Sequence, residues 1–218
     1  MRNGEKDEPR IVLLRRKLLR WYRTGGRHFS WRETQDPFKI LIAEIMLQRT
    51  KAQQVEPVYN DFISKYPSPK HILDELDTTI YSELSSLGLR WRIGTILNTA
   101  EFLINRYQGR TPSTRGELIR IPGVGQYIAG AVVTTAFNKQ CSLLDSNIVR
   151  LFSRYMGFKR VVDARADKNS LACSIFYSKS TKPRQSTYAI VDFPALICKP
   201  INPSCYRCIF NKSCAHVS

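Results

Sequence analysis

The 218 residues predict an all-α protein, and three observations carry that expectation. Apolar side chains recur at three- and four-residue spacing along most of the chain. No run alternates apolar and polar residues for long enough to make a strand. Clusters of turn formers, such as Pro67-Ser68-Pro69, cut the helical stretches apart. Residues 10–23 place Ile11, Leu14, Leu18, Leu19 and Tyr22 at helical spacing with arginines and lysines between them, which makes an amphipathic helix with a basic face. The pattern resumes from Pro37 to Tyr66, with Ile42, Ile45 and Met46 on one side and Val55, Val58, Phe62 and Ile63 further on. Helices are expected near 70–77, 80–87, 91–107 and 114–121. Ile121-Pro-Gly-Val-Gly-Gln-Tyr127 then separates two helical runs, Asp145 opens another helix, and a cysteine-rich tail begins at Cys198.

Composition narrows the function. Lys and Arg number 34 against 18 Asp and Glu, a net charge of +16 that favours a polyanionic partner, nucleic acid before a membrane surface. The longest apolar runs, such as 40–46, are far short of a membrane-spanning helix. The charged first ten residues contain no apolar h-region, so no secretory signal is expected, and the cytosol or nucleoid is the expected location. In that setting clustered cysteines bind metal more often than they form disulfides.

Cys198, Cys205, Cys208 and Cys214 form C-x6-C-x2-C-x5-C within 17 residues. Four thiolates this close can converge on one centre, and spacing alone leaves zinc and a [4Fe–4S] cluster open. Cys141 and Cys173 lie outside this group and read as packing residues. In the Pro122–Gly125 turn, glycines permit a tight reversal and a close backbone approach. The next helix then begins with free N–H groups and the positive end of its dipole, a seat for a phosphate. Twenty residues past Gly125, Asp145 is by position a helix N-cap. Glu44, between Ala43 and Ile45, is either a surface residue or a partly desolvated carboxylate suited to acid catalysis. Arg90, Trp91 and Arg92 combine charge with a stacking surface and read as a possible nucleic-acid loop.

These motifs together resemble the helix-hairpin-helix DNA glycosylases with an iron–sulfur cluster, the superfamily of endonuclease III, the adenine glycosylases and the thymine mismatch glycosylases. The cysteine spacing is the cluster motif of that superfamily, and 118–127 is similar to its L-P-G-V-G hairpin. Asp145, Asn147 and Arg150 match its D-x-N-x-x-R form. Trp31-Arg32, Pro37-Phe38 and the run from Ala43 to Thr50 look like its W-R…P-[YF]…S-E-V-M-L-Q-Q-T stretch. The resemblance spans about Trp21 to Cys214. It implies two α-helical lobes, a six-helix barrel over 30–139 and a cluster lobe formed by 1–29 with 140–218, with DNA lying between them.

For the site, the resemblance implies a structural [4Fe–4S] cluster on the four tail cysteines and duplex DNA bound through Gly123, Val124 and Gly125. Gln48 and Arg49 would enter the duplex beside an extruded base. Asp145, with Asn147, would stabilise the oxocarbenium-like sugar, and Glu44 would assist the departing base. Tyr127 stands where endonuclease III carries its imine-forming lysine, so a monofunctional glycosylase without efficient strand nicking is expected. Ala52 and Tyr188 would line the base pocket. Ala52 matches the thymine mismatch branch, Gln48 leans toward the adenine branch, and Tyr188 departs from both. The chain stops four residues past Cys214, where adenine enzymes add a further domain, so no such domain is expected. The expectation is a monomer that removes thymine or uracil opposite guanine from double-stranded DNA with a mismatched or damaged base, and binds no membrane. Adenine removal opposite guanine or 8-oxoguanine is the alternative within the class. A non-catalytic iron–sulfur DNA-binding protein is the alternative from another class, and it would need neither Glu44 nor Asp145.

Overall fold

The computed structural model describes residues 3–88, 90–159 and 167–217, which are helix, turn and loop with no strand among them. The chain divides into two compact units, one made of Met1–Arg27 with Asn138–Ser218 and the other of His28–Phe137. No helix among the described residues is long and apolar enough to cross a membrane.

The central unit is built round α2 (Pro37–Met46), whose Phe38, Ile40, Leu41, Ile42, Ala43, Ile45 and Met46 are all buried. Asp36 starts it, its carboxylate accepting from the Phe38 and Lys39 N–H groups, with Pro37 at the first helical position. Packed on α2 are α3 (Ala52–Lys65), α6 (Arg90–Tyr107) and α8 (Gln126–Thr135), the last buried along nearly its whole length. The short helices α4 (Pro69–Leu73), α5 (Asp77–Glu83) and α7 (Arg115–Leu118) complete the unit. Several differ from the expected spans. The helical pattern of 37–66 is broken at Leu47–Lys51 because Arg49 adopts φ 57°, outside the right-handed helical region. The run expected at 114–121 shortens to four residues. Thr114 caps it, its hydroxyl accepting from the Glu117 N–H and donating to the Glu117 carboxylate, and the chain must leave the helix ahead of Pro122.

The other unit joins the two ends of the chain. Its α1 (Asn3–Gly25) packs on α10 (Lys168–Ser178) and α11 (Pro183–Leu196), and α9 (Ser146–Met156) packs on both of these. Ile11, Leu14 and Leu18 form the fully buried stripe of α1. Arg15 extends from α1 to the last turn of α10, where it donates to the carbonyls of Phe176 and Tyr177 at 2.9 and 3.0 Å. Phe210 anchors the cysteine tail, its ring 5.1 Å from that of Tyr155 on α9 and 5.2 Å from that of Phe193 on α11. Phe193 in turn meets Trp21 of α1 edge-on at 5.0 Å. One apolar side chain among turn formers thus ties the tail to three helices. Phe210→Ala removes the shared ring and is expected to cost about 3–5 kcal/mol, read as a lowered midpoint in urea unfolding followed by circular dichroism.

Candidate nucleic-acid interface, carboxylate site and cysteine centre

In the central unit the hairpin is held from below by side chains and open above. Ile121 and Val124 are buried, and the Val124 N–H closes the turn on the Ile121 carbonyl at 3.0 Å. Val124 therefore holds the turn in shape and presents no side chain to a ligand. Gly123 is required twice over. Its φ is 79°, and a Cβ there would stand 2.3 Å from Thr95 Cγ2 on α6. Gly125 is the N-cap of α8 with extended backbone, no side chain caps that helix, and a Cβ at this position would meet nothing. An uncapped helix start beside two exposed glycines is what a phosphate oxygen needs.

The turn after α2 lies against this hairpin. Gln48 Nε2 donates to the Gly123 carbonyl at 3.4 Å, and Arg49 is exposed. Glu44 is half-buried one turn before the end of α2, Ala52 opens α3, and Tyr127 is half-buried in the first turn of α8. The expected loop at 90–92 takes a different form. It is the first turn of α6, Trp91 is 48% exposed, and the Arg90 side chain lies outside the described residues. Arg92, expected among the nucleic-acid contacts, is 2% exposed and faces inward. Its guanidinium donates to the carbonyls of Met46 at 2.5 Å, Leu87 at 2.6 Å and Gly88 at 3.2 Å. Local sequence could not show this, because all three acceptors are backbone groups at the ends of other elements.

The other unit holds Asp145, which is both a helix cap and a largely desolvated carboxylate. It accepts from the N–H groups of Asn147 and Ile148 at 2.9 and 2.7 Å, and from the Asn147 side chain at 3.3 Å. Burial pushes its pKa above the ordinary carboxylate value. These hydrogen bonds and the charge of Arg150 pull the other way without cancelling the effect. Asn147 Oδ1 accepts in turn from Arg150, which is 5% exposed and also donates to the carbonyls of Cys198 and Pro194 at 2.9 and 3.0 Å. A continuous set of hydrogen bonds therefore runs from the carboxylate to the first tail cysteine.

Arg154, one turn further along α9, donates to the Lys199 carbonyl at 2.7 Å and lies 3.6 Å from Cys198 Sγ. All four tail cysteines stand outside any disulfide and are half-buried. Burial raises the thiols of Cys208 and Cys214, and the other cysteines of the tail raise them further, so the four share one neighbourhood. Among the described residues, no group of three or more His, Cys, Asp or Glu side chains is arranged to hold a metal ion. Cys173 is a core residue of α10. Tyr188 is 8% exposed on α11, with its ring 6.2 Å from that of Tyr22. One turn on, Asp192 is fully buried and bound by Arg27 through both backbone N–H, 2.8 Å, and guanidinium, 2.6 Å.

Glu44, Gln48, Arg49, Ala52, Gly123, Val124, Gly125 and Tyr127 thus belong to one unit, and Asp145, Asn147, Tyr188 and the four cysteines to the other. Phe210, Arg154 and the Arg27–Asp192 pair escaped the sequence reading, which had Arg92 facing a nucleic acid rather than inward. Of these, only Phe210 left a signal there, as the larger member of the apolar pair Ile209-Phe210 inside a tail rich in turn formers and basic residues.

Residues 42–171 match the family described as HhH-GPD superfamily base excision DNA repair protein. The chain is 34% identical to the thymine/uracil-DNA glycosylase of Methanothermobacter thermautotrophicus over 91% of its length and 90% of that protein. It is 33% identical to the thymine-DNA glycosylase of Aeropyrum pernix over 96% of both chains. A solved thermostable thymine-DNA glycosylase superposes with a TM-score of 0.89 at 31% identity, covering 99% of both chains.

The two glycines should separate folding from binding. Gly123→Ala is expected to lose about 2 kcal/mol or more of stability. Gly125→Ala, with space for its methyl group, should lose less than about 1 kcal/mol while weakening duplex binding about tenfold. Thermal unfolding and fluorescence anisotropy with a short labelled duplex measure the two effects.

Proposed function

The chain belongs to the HhH-GPD superfamily of base excision DNA repair proteins, and from that premise we propose a monofunctional DNA glycosylase that hydrolyses the N-glycosidic bond of thymine or uracil opposite guanine in duplex DNA. Asp145 carries the hydrolytic reading. Cleavage of the bond builds positive charge on the deoxyribose, and a fixed, partly desolvated carboxylate stabilises that charge more than a solvated one does. The N–H donors at the start of α9, together with Asn147, hold the carboxylate in place without neutralising it. Water then attacks C1′.

In the central unit the hairpin and the free start of α8 would hold a backbone phosphate. Gln48 and Arg49 would enter the stack beside the extruded base, and Glu44 would protonate or position the leaving base. Tyr127 would line the sugar pocket. Its phenol cannot form an imine with C1′, which is the ground for expecting no efficient strand nicking. The choice of thymine or uracil rests on the two archaeal relatives and on Ala52. Tyr188, packed on Tyr22, would contribute at most a wall to the base pocket.

The four tail cysteines would hold a [4Fe–4S] cluster. The observations that fit it are four thiols outside any disulfide in one neighbourhood and the arginines of α9 around Cys198. A bound cluster would fix the tail onto α9 and α11, and the raised thiols of Cys208 and Cys214 would release their protons to solvent on binding it as thiolates.

Three outcomes test this reading. Duplexes carrying G·T, G·U, A·G and A·8-oxoguanine should release base from the first two, with strands breaking only after alkali. Release from the A·G or A·8-oxoguanine duplex alone would replace thymine and uracil with adenine. Asp145→Asn should lower single-turnover release by about a hundredfold or more. Because the carboxylate must be ionised and burial raises its pKa, the parent's rate should fall on acidification at a pH above the ordinary carboxylate value. Finally, protein reconstituted anaerobically with iron and sulfide should absorb near 400 nm on the order of one cluster per chain. Cys205→Ser should abolish that band.

A further inference from the structure

Arg92 is a buried cation with no carboxylate partner among the described residues. Among the described residues its partners are three carbonyls. One is that of Met46, the last residue of α2, and the others belong to Leu87 and Gly88 in the turn leading into α6. Its Nε finds no acceptor. Around it are the apolar side chains of Met46, Leu84, Ile93 and Ile96, bordering a void of about 10 Å³. Desolvation by these neighbours lowers its pKa. An apolar side chain of similar length would suit such surroundings at least as well, since a buried charge costs more to desolvate than packing does. Packing alone therefore does not account for the guanidinium.

A methionine could not join two turns. The planar fork of Arg92 takes Met46 with one terminal nitrogen and Leu87 and Gly88 with the other, so the end of α2 and the start of α6 keep a fixed spacing. Each turn continues into an exposed side chain. Beyond Met46 come Gln48, bonded to the Gly123 carbonyl, and Arg49 in its left-handed conformation. Beyond Gly88 comes Trp91, 48% exposed. Its carbonyl accepts from Thr95, the residue whose side chain lies against Gly123. The turn after α2, the start of α6 and the hairpin are thereby fixed to one another, all within the central unit.

We infer that Arg92 is a positioning residue for base extrusion, holding Arg49 and Trp91 at a fixed separation so that both enter the opened stack while the hairpin grips the backbone. The inference rests on the proposed glycosylase reading and adds to it the step at which Arg92 acts. Arg92 touches no nucleotide. It acts through the two turns, so its loss should impair removal of a base that must first be pulled from a duplex. A base that is already unstacked should be removed nearly as before.

The test compares single-turnover release of uracil opposite guanine in a fully paired duplex with release from the same site inside a bubble of unpaired bases. For Arg92→Met the paired substrate should slow about tenfold to a hundredfold and the bubble less than about threefold. Arg92→Lys should fall between parent and Arg92→Met on the paired substrate, since one ammonium cannot span both turns. Equal slowing on both substrates, or no slowing on the paired one, overturns the inference. If Arg92→Met does not fold by circular dichroism, Arg92→Lys decides, and a paired-to-bubble ratio equal to the parent's overturns it. A parent enzyme that releases no base from either substrate removes the proposed reaction and the inference with it. Release by the parent together with equal slowing in the variants removes the inference alone.

Discussion

Arginine side chains bonded to carbonyls at the ends of helices hold much of this molecule together. A helix leaves its last carbonyls without partners and its C-terminal end partly negative, and a guanidinium answers both. Arg10 does this at Tyr155 near the end of α9, Arg15 at the end of α10, Arg92 at the end of α2, and Arg150 at Pro194 and Cys198 round the end of α11. These four arginines are engaged in joining helices, and the other basic side chains of the chain carry the excess charge that faces a polyanion.

In the proposed reaction the opposite end of a helix serves the chemistry. The start of α9 carries Asp145, and the start of α8 is left uncapped beside Gly123 and Gly125. An acid in a place that disfavours its charge costs stability at neutral pH. Folding favours its protonated form, so whatever this group adds to stability is present in acid and is lost as pH rises through its raised pKa. The donors of the first turn of α9 limit that cost. The same backbone geometry answers a fixed anion at Asp145 and leaves room for a visiting one at the hairpin.

Much of this was legible in the sequence, for reasons that differ by residue. Helical periodicity and the Pro-Gly turns made the all-α class and the hairpin readable, and the placement of Asp145 at a helix start followed from local chemistry alone. Its charge state did not, because burial is set by residues far along the chain. Arg92 was misread because an arginine next to an exposed tryptophan gives no local sign that it points inward. Its three acceptors are main-chain groups, which carry no residue identity to recognise. Tyr188 shows the converse limit, since the resemblance offered it as a base-pocket residue but could not show that its ring packs on Tyr22 of α1. The shortening of α7 was written in Thr114, Glu117 and Pro122, a capping pair and a breaker too close together to permit the longer run.

One unit is assembled from the first 27 residues and the last 81, with the other unit inserted between them. During synthesis α1 leaves the ribosome long before α10, α11 and Phe210 exist, so the stripe of Ile11, Leu14 and Leu18 has nothing to pack against until the tail arrives. The inserted unit carries its own core and can close first, which places the late, long-range step on the joining of the two chain ends. The basic face of α1 then has a second consequence, because an unpartnered apolar stripe flanked by like charges resists association with other nascent chains while it waits.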